Sequence, residues 1–369
     1  MASSKVYFTD MHTCQGNNLL DKMERLLSRA GLNRMDLDGK MVAIKIHMGE
    51  PGNIAYIRPN LAAVLVRMVK EKGGKPFLTD CNTLYTGKRA NAVDHLNSAM
   101  ENGFNRIAVG CDVIIADGLR GNEQREIQID KELCRTAKIG SAIADADVVI
   151  SLSHFKGHEL TGFGGALKNL GMGSGSRCGK LEMHASSKPT VERKKCVGCG
   201  QCVKNCPEDA IALDDKKKAV IDREKCVGCG QCVVVCRYGA PTVEWEESSE
   251  IVNKKIAEYA YAVMLGKPGL HINVIMNVSP NCDCWPFNDL PIVPDIGMAA
   301  SKDPVALDVA CAQMVNEAPV IKGSVLDVKG FKKEDKFKAA HPKTDWMTGM
   351  DHAQDIKLGR KQYELVRLK

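Results

Sequence analysis

Two runs of cysteines have the spacing that iron–sulfur clusters require. Each run reads C-x2-C-x2-C-x3-C, and the two begin thirty residues apart, at Cys196 and at Cys226. Three closely spaced thiolates can wrap around one cubane cluster, because each corner iron needs a sulfur ligand, and the fourth cysteine of a run ligates the other cluster. We therefore expect two [4Fe-4S] clusters. The first would be held by Cys196, Cys199, Cys202 and Cys236, and the second by Cys226, Cys229, Cys232 and Cys206.

The double run has the pattern of bacterial two-cluster ferredoxins. The octet KCVGCGQC occurs twice unchanged, at 195–202 and 225–232, which indicates an internal duplication. A pair of zinc knuckles is the alternative, but zinc sites use four ligands, commonly as two separated pairs. Four closely spaced cysteines in each run favour clusters over zinc.

The composition is that of an ordinary globular protein. The chain has 369 residues, of which 44% are apolar and 26% are charged, and this length favours two or three domains. No segment approaches the run of about 18 apolar residues that a membrane span needs, and the N-terminus lacks a signal-peptide pattern. We expect no membrane partner and a cytoplasmic location, where the remaining cysteines are reduced thiols or metal ligands.

Positive charge is concentrated around the cysteine runs. An acidic electron carrier such as a ferredoxin or flavodoxin fits this charge, because complementary charges speed encounter. Nucleic acid is a less favoured partner. The other alternative is that these residues form a solvated surface loop that binds no partner. The basic residues are Lys188, Arg193, Lys194, Lys195, Lys204, Lys216, Lys217, Lys218, Arg223 and Lys225.

Strands and helices alternate outside the cysteine runs, which predicts an α/β fold with a largely parallel sheet. Apolar, β-branched runs at 41–46 and 148–152 predict buried strands, and helical spacing of apolar residues predicts a helix over 17–30. The other predicted strands are 5–9, 76–79, part of 106–116, 271–278 and 363–368. The other predicted helices are 59–72, 90–102, 138–145, 251–265 and 304–315.

The cysteine runs interrupt this alternation. We expect one α/β host domain made of residues 1–185 and 245–369, with an α+β ferredoxin-like two-cluster domain, 186–244, inserted into it. Three domains in series are the alternative, but the C-terminal part alone has few strands and would bury a poor core.

Reactive side chains follow several of the predicted strands. In open α/β sheets ligands bind outside the carboxyl ends of the strands, so these residues could meet in one pocket, although polar loops also occur by chance. The candidate catalytic residues are His47, His154, His158, Lys168 and His184, and the candidate metal ligands are Cys178, Cys282 and Cys284.

The densest of these segments is residues 153–184, with three histidines, three lysines and eight glycines. It completes neither a Walker A loop nor G-x-G-x-x-G, and its length predicts either a functional loop or a mobile connection. The thiolates of Cys282 and Cys284 could bind a soft metal. Together with Cys178 and a histidine they could form a third metal site, and ordinary buried thiols are the alternative.

The chain resembles the iron–sulfur branch of the domain of unknown function 362 family. The matching segments are VAIKIHMGE (42–50), SHFKGHELTGFGGALKNLGMG (153–173), KLEMHA (180–185), the double cysteine run, and CDCWPFNDLPIVPDIGMAASKDPVALD (282–308). The resemblance implies a ferredoxin-type domain within an α/β host, and it brings no established reaction. One departure is that Arg237 follows Cys236, whereas Pro207 follows Cys206 as is usual.

Two functions fit these observations. The first is an oxidoreductase that relays electrons through two [4Fe-4S] clusters to a site in the host domain, where an unknown small-molecule substrate and an additional metal or flavin could bind. The alternative is a non-enzymatic electron carrier or a metal-centre assembly factor. The long host segment favours the first, and the oligomeric state is open.

Overall fold

The computed structural model describes residues 3–84, 87–184, 188–206, 208–226, 230–242, 248–331 and 335–368. Within them, the chain forms one eight-stranded sheet and four sheets of two strands. The strands are β1 (Ser4–Asp10), β2 (Met41–Ile46), β3 (Lys75–Asp80), β4 (Val113–Ile115), β5 (Gln124–Gln128), β6 (Thr136–Gly140), β7 (Val148–His154), β8 (Lys156–His158), β9 (Gly162–Gly164), β10 (Thr190–Val191), β11 (Ile211–Leu213), β12 (Ala219–Ile221), β13 (Pro241–Thr242), β14 (Gly269–Ile275), β15 (Gly297–Ser301) and β16 (Tyr363–Arg367).

The helices cover both faces of the large sheet. They are α1 (Leu19–Ala30), α2 (Pro59–Glu71), α3 (Ala92–Glu101), α4 (Arg106–Val109), α5 (Ser141–Ala144), α6 (Ala166–Ser174), α7 (Arg177–His184), α8 (Gln201–Lys204), α9 (Gln231–Val235), α10 (Ser249–Met264), α11 (Pro304–Glu317), α12 (Val325–Val328), α13 (Lys336–Ala340) and α14 (Trp346–Asp355), with a 3-10 turn at Leu32–Arg34. None of the helices in the described ranges combines the length and apolar composition needed to cross a membrane.

The large sheet confirms the predicted α/β class with a largely parallel sheet. Its strand order is β16-β1-β15-β14-β7-β2-β3-β4. Strand β15 is antiparallel to both of its neighbours, and the other five adjacent pairs are parallel. Strands that precede the cysteine runs and strands that follow them therefore share one sheet.

Alternation along β2 decides which of its side chains reaches the candidate site. Val42, Ile44 and Ile46 pack in the core that includes α1 and α2, and Ala43 packs on the opposite face, in the core that includes α6 and α10. Successive residues of a strand point to opposite faces, so Lys45 lies on the same face as Ala43. The chain thus directs a fully buried lysine toward α6.

Residues 138–145 differ from the predicted helix. They form the end of β6 and the four-residue α5. Strand β6 pairs antiparallel with β5 and buries Ala137 and Ile139 completely. Pairing with a partner strand and burial decide the outcome, and neither is contained in the local helical pattern.

Residues 153–184 differ from the predicted long loop, because they hold β8, β9, α6 and α7. Their glycines allow close packing. A Cβ at Gly171 would lie 2.1 Å from the carbonyl oxygen of Ile256, and one at Gly179 would lie 2.6 Å from that of Lys138. The glycine-rich composition therefore lets two helices approach their neighbours closely.

The segment with the cysteine runs has a repeated element order, β10-α8-β11 followed by β12-α9-β13. Strand β10 pairs with β13 and β11 pairs with β12, both antiparallel, and α8 contacts α9. The two halves thus pair with each other, and they enclose a small apolar core of their own.

Candidate functional site

A cavity of about 870 Å³ opens at the carboxyl edge of the large sheet. Its walls are the ends of β2, β3 and β7, the helices α6 and α7, and the segment 282–287 after β14. All five candidate catalytic residues line it, as do two of the three candidate metal ligands. They are His47, His154, His158, Lys168, His184, Cys282 and Cys284.

Helix α6 places Lys168 and Asn169 in this cavity. Asp308 of α11 accepts hydrogen bonds from the backbone N–H groups of Ala166 (2.7 Å) and Leu167 (2.9 Å), so a distant side chain caps the helix N-terminus. Asn169 joins two strands, because its Nδ2 donates to the carbonyl of Lys45 in β2 at 2.9 Å and to that of Leu152 in β7 at 3.2 Å. Its Oδ1 accepts from the Lys45 ammonium at 2.8 Å. The orientation of α6 is therefore fixed at both points.

The buried ammonium of Lys45 is paired with Asp80, whose carboxylate oxygen is 2.9 Å away. Burial alone would raise the pKa of Asp80, but Lys45 and His95 outweigh it and hold that pKa below its usual range. Asp80 is the last residue of β3. The wall of the cavity therefore contains a buried ion pair between two adjacent strands.

His47 lies beside a second buried pair. Arg89 Nε donates to Glu50 at 2.6 Å, and Arg89 Nη1 lies 2.8 Å from His47 Nε2. The other ring nitrogen, Nδ1, accepts from the backbone N–H of Gly49 at 3.1 Å. Burial and the neighbouring Arg89 charge lower the pKa of His47 well below its usual value, so its ring is neutral.

Both ring nitrogens of His154 have partners. Nδ1 lies 2.8 Å from a carboxylate oxygen of Asp283, and Nε2 lies 2.7 Å from the carbonyl oxygen of Met276. Lys156 Nζ lies 3.4 Å from the same carboxylate, which is completely buried. His154 and Lys156 therefore hold Asp283 in place, and with it the two cysteines on either side.

His158, Cys282 and Cys284 form a group that could hold a metal ion, because their ligand atoms all lie within 4.8 Å of one another. The backbone N–H of Cys284 donates to the Cys282 sulfur at 3.4 Å, and Lys168 Nζ lies 3.7 Å from it. A hydrogen bond from the Cys284 thiol and the Lys168 charge hold the pKa of the Cys282 thiol well below its usual range. The same hydrogen bond and burial raise the pKa of Cys284.

Cys178 and His184 both lie on α7 but have different surroundings. Cys178 is buried and lies 2.8 Å, sulfur to oxygen, from the side chain of Gln231 on α9, so the fold places it beside the second cysteine run and not in the cavity. His184 lines the cavity. Burial, Lys168 and His158 lower the pKa of His184 to about 3, which leaves its ring neutral.

The cysteine runs form a smaller pocket. Three cysteines of the first run and the last cysteine of the second line it together. They are Cys196, Cys199, Cys202 and Cys236. The remaining candidate ligands Cys206 and Cys226 are half-buried and Cys232 is buried, while Cys229 and the Pro207 that follows Cys206 lie outside the described residues.

Helix α7 connects the cavity with the cysteine segment. Leu181 of α7 is buried against Leu84, which lines the cavity, and against Val233 of α9. The approach is close, since a Cβ at Gly230 would overlap the Leu181 side chain. Lys180 and His184, on the same helix, line the cavity.

Sequence reasoning assigned no role to several charged residues of the cavity. They are Lys45, Glu50, Asp80, Arg89, Lys156 and Lys180. A signal existed for Lys45, because it is the one charged residue in the strand MVAIKI. Arg89 carries no comparable signal, since it reaches His47 only through the fold.

The chain is similar to a thylakoid-associated protein of Synechocystis, with 26% identity over 160 residues, which cover 42% of this chain and 46% of that protein. The structure is similar to the lactate racemase apoprotein from Thermoanaerobacterium thermosaccharolyticum, with 13% identity and a TM-score of 0.40, covering 74% of this chain and 51% of that one. It is also similar to a structural-genomics protein from Thermotoga maritima, with 13% identity, a TM-score of 0.40 and coverage of 80% and 59%.

The matched part is thus about half the length of each of these proteins. A family model for a domain of unknown function, DUF362, matches residues 42–313, which include the cysteine runs and most of the cavity. This match spans well over half of the chain, and the chain belongs to the DUF362 family.

Proposed function

We propose that the chain is an iron–sulfur redox protein that holds two [4Fe-4S] clusters in the inserted segment 186–244 and passes electrons to a substrate in the cavity of the α/β host. The observation that carries this proposal is the composition of the smaller pocket. Three thiols of the first run and Cys236 of the second face one space. A cubane cluster needs four thiolates, and this three-plus-one set is the one that the spacing predicts.

Backbone hydrogen bonds to the cysteine sulfurs support the same proposal. The N–H of Ala219 donates to Cys196 Sγ at 3.4 Å, and the N–H of Ala210 donates to Cys206 Sγ at 3.3 Å. Such bonds stabilise thiolates and tune the reduction potential of a bound cluster, which supplies one-electron transfer. Ala219 is the first residue of β12, and Ala210 directly precedes β11.

The surface near Cys199 supports electron entry from an acidic carrier. Cys199 is exposed, and a Cβ at its neighbour Gly198 would lie 2.3 Å from the carbonyl oxygen of Lys217. Lys216 and Lys217 are exposed in the β11–β12 turn, whereas the Lys218 ammonium bonds to the carbonyl of Cys196. Two lysines thus carry exposed positive charge beside an edge of the smaller pocket.

The contact between α7 and α9 supports electron exit toward the cavity. Val233 follows Cys232 directly in the second run, and it packs on Leu181 and Leu84. Leu84 forms part of the cavity wall. The apolar contact therefore joins the second cysteine run to the cavity through Leu181 and Leu84.

A second candidate function of the cavity is to bind a metal ion through His158, Cys282 and Cys284. Such a site would also be consistent with a metal-centre assembly factor. Three protein ligands and an open fourth position are the arrangement of catalytic zinc. Nδ1 of His158 accepts from the N–H groups of Leu160 (3.1 Å) and Thr161 (3.2 Å), which places the ring proton on Nε2. A metal on Nε2 must displace that proton, so this hydrogen bonding opposes binding.

The test is analysis of anaerobically purified full-length protein for iron, labile sulfide, zinc and flavin. We expect about eight iron and eight sulfide per chain, the content of two cubanes. Cys206→Ala should remove the cluster assigned to Cys226 and Cys232 and leave the other, while Cys14→Ser, at an exposed thiol, should change nothing. Zinc without labile sulfide would refute the proposal, and selective loss of the other cluster would refute the cross-ligation.

The same preparation distinguishes an enzyme from a carrier. A metal that is present in addition to the expected iron, and that is lost in Cys282→Ser, would support a metal site at His158, Cys282 and Cys284. Bound flavin would support an oxidoreductase instead, because a flavin can pair two single-electron steps into one hydride transfer.

A further inference from the structure

Most cations that line the cavity already have a carboxylate partner. Lys45 pairs with Asp80 at 2.9 Å and Arg89 with Glu50 at 2.6 Å. Lys156 lies 3.4 Å from Asp283. Each of these positive charges is therefore balanced within the fold.

Lys180 is one of two exceptions. It is 8% exposed, and its ammonium donates to the carbonyl oxygens of Gly175 at 2.6 Å and Gly173 at 3.5 Å. Within the described residues, no carboxylate oxygen lies within 4.0 Å of it. Two carbonyl partners among the described residues leave the third N–H donor of its ammonium available to another acceptor.

Lys168 stands on another wall of the same cavity, and no carboxylate of the described residues lies within 4.0 Å of it either. Its contact is the Cys282 sulfur, at 3.7 Å. The carboxylate of Glu159, which also lines the cavity, accepts instead from the indole N–H of Trp285 at 3.0 Å.

A buried ammonium with no carboxylate oxygen in direct contact is costly, because more distant charges, such as Asp117 and Asp80 for Lys180, replace its lost hydration only in part. The cavity is large enough for a small molecule, since ligand pockets span roughly 300–1,000 Å³. The neighbouring His184 is neutral and adds no charge. The two ammonium groups therefore fit a ligand that brings negative charge with it.

We propose that Lys180 and Lys168 bind the carboxylate or phosphate group of a small anionic substrate and hold it beside Cys282 and Cys284. The inference rests on the proposed function only in taking the cavity as the working site. Binding of an anion requires no cluster and no electron transfer. Its failure and the failure of the redox proposal can therefore be told apart.

The test is isothermal titration calorimetry at low ionic strength with the anaerobic full-length protein. The probes are succinate, its neutral analogue succinamide, and inorganic phosphate. We expect saturable binding of succinate or phosphate at one site and none of succinamide. Binding of only one anion assigns the carboxylate or the phosphate as the recognised group.

The variants locate the site. Lys180→Met and Lys168→Met should each weaken anion binding at least tenfold, and Lys180→Arg, which keeps the charge, should largely retain it. Two matched controls should bind as the wild type does: Lys75→Met, at the far end of β3, and Lys216→Met, beside the cysteine segment. Absence of anion binding, equal binding of succinamide, or equal affinity of Lys180→Met and the controls would overturn the proposal.

Discussion

Gly171→Ala should destabilise the protein, although alanine is the better helix former. The substitution gains about 1 kcal/mol of intrinsic helix propensity in the interior of α6. Against this gain, the new Cβ would lie 2.1 Å from the carbonyl oxygen of Ile256 in α10. Ordinary van der Waals contact begins near 3.4 Å, so α6 and α10 must separate by more than 1 Å at this point.

Backbone cannot move aside as a flexible side chain can, so the upper part of the overpacking range, about 3 kcal/mol, applies here. The expected net loss of unfolding free energy is about 2 kcal/mol. Lys168 and Asn169 lie on the same helix, so the hydrogen bonds from Asn169 to Lys45 should weaken too. Iron content should stay unchanged, because the candidate cluster ligands lie outside α6 and α10.

The matched control is Gly175→Ala, directly after the same helix. Its Cβ would meet the flexible end of the Met183 side chain, 2.8 Å away at Cε, and that end can shift. The backbone of Gly175 is extended, with φ of -62°, so the stability of Gly175→Ala should stay within about 1 kcal/mol of the wild type. The assay is anaerobic urea unfolding followed by circular dichroism. If Gly171→Ala matched or exceeded the stability of Gly175→Ala, close α6–α10 packing would not be the reason for glycine at 171.

Three further outcomes follow from the geometry. Leu181→Ala should slow reduction of any electron acceptor bound in the cavity while both clusters remain, because it removes the contact between α7 and α9. The rate is measured by stopped-flow spectroscopy, and a wild-type rate would refute electron transfer through this contact. Lys216→Glu together with Lys217→Glu should slow reduction by a small acidic ferredoxin at low salt. The difference from the wild type should vanish as salt is added, because at physiological salt charges are screened over roughly 8 Å. If the rate depended on neither the substitutions nor the salt, these lysines would be solvated surface residues without a role in docking. Burial raises the pKa of Asp308 from 3.8 to about 6. The folded state thus binds the extra proton in that window and stability falls as pH rises through it. Asp308→Asn should therefore remove about 1 kcal/mol of the stability difference between pH 5 and pH 8, and identical pH profiles would contradict the assignment.

Much of the fold is readable from the sequence, because local pattern and burial agree there. The apolar run 41–46 and the amphipathic stretch 17–30 form β2 and α1 nearly as predicted. The predicted helix at 138–145 fails, because β5 pairs with β6 and that pairing is not local. The prediction of a long loop at 153–184 is wrong, because glycine-rich sequence is typical of flexible loops. In this structure the glycines instead allow helices to pack closely against their neighbours.

The sequence by itself predicted which cysteines group together. Ligand type and spacing within one short segment constrain a cluster, so Cys196, Cys199 and Cys202 could be grouped without coordinates. It also pointed to histidines that follow strands, because parallel strands end at one edge.

Only the tertiary structure decided which of those residues are free to act. His154 is held by Asp283 and Met276, and Cys178 faces Gln231 beside the second cysteine run. Lys180 is left facing the cavity without a carboxylate partner among the described residues. A hydrogen-bond partner 129 residues away, as Asp283 is from His154, is set by the packing of the whole sheet and leaves no mark in the local sequence.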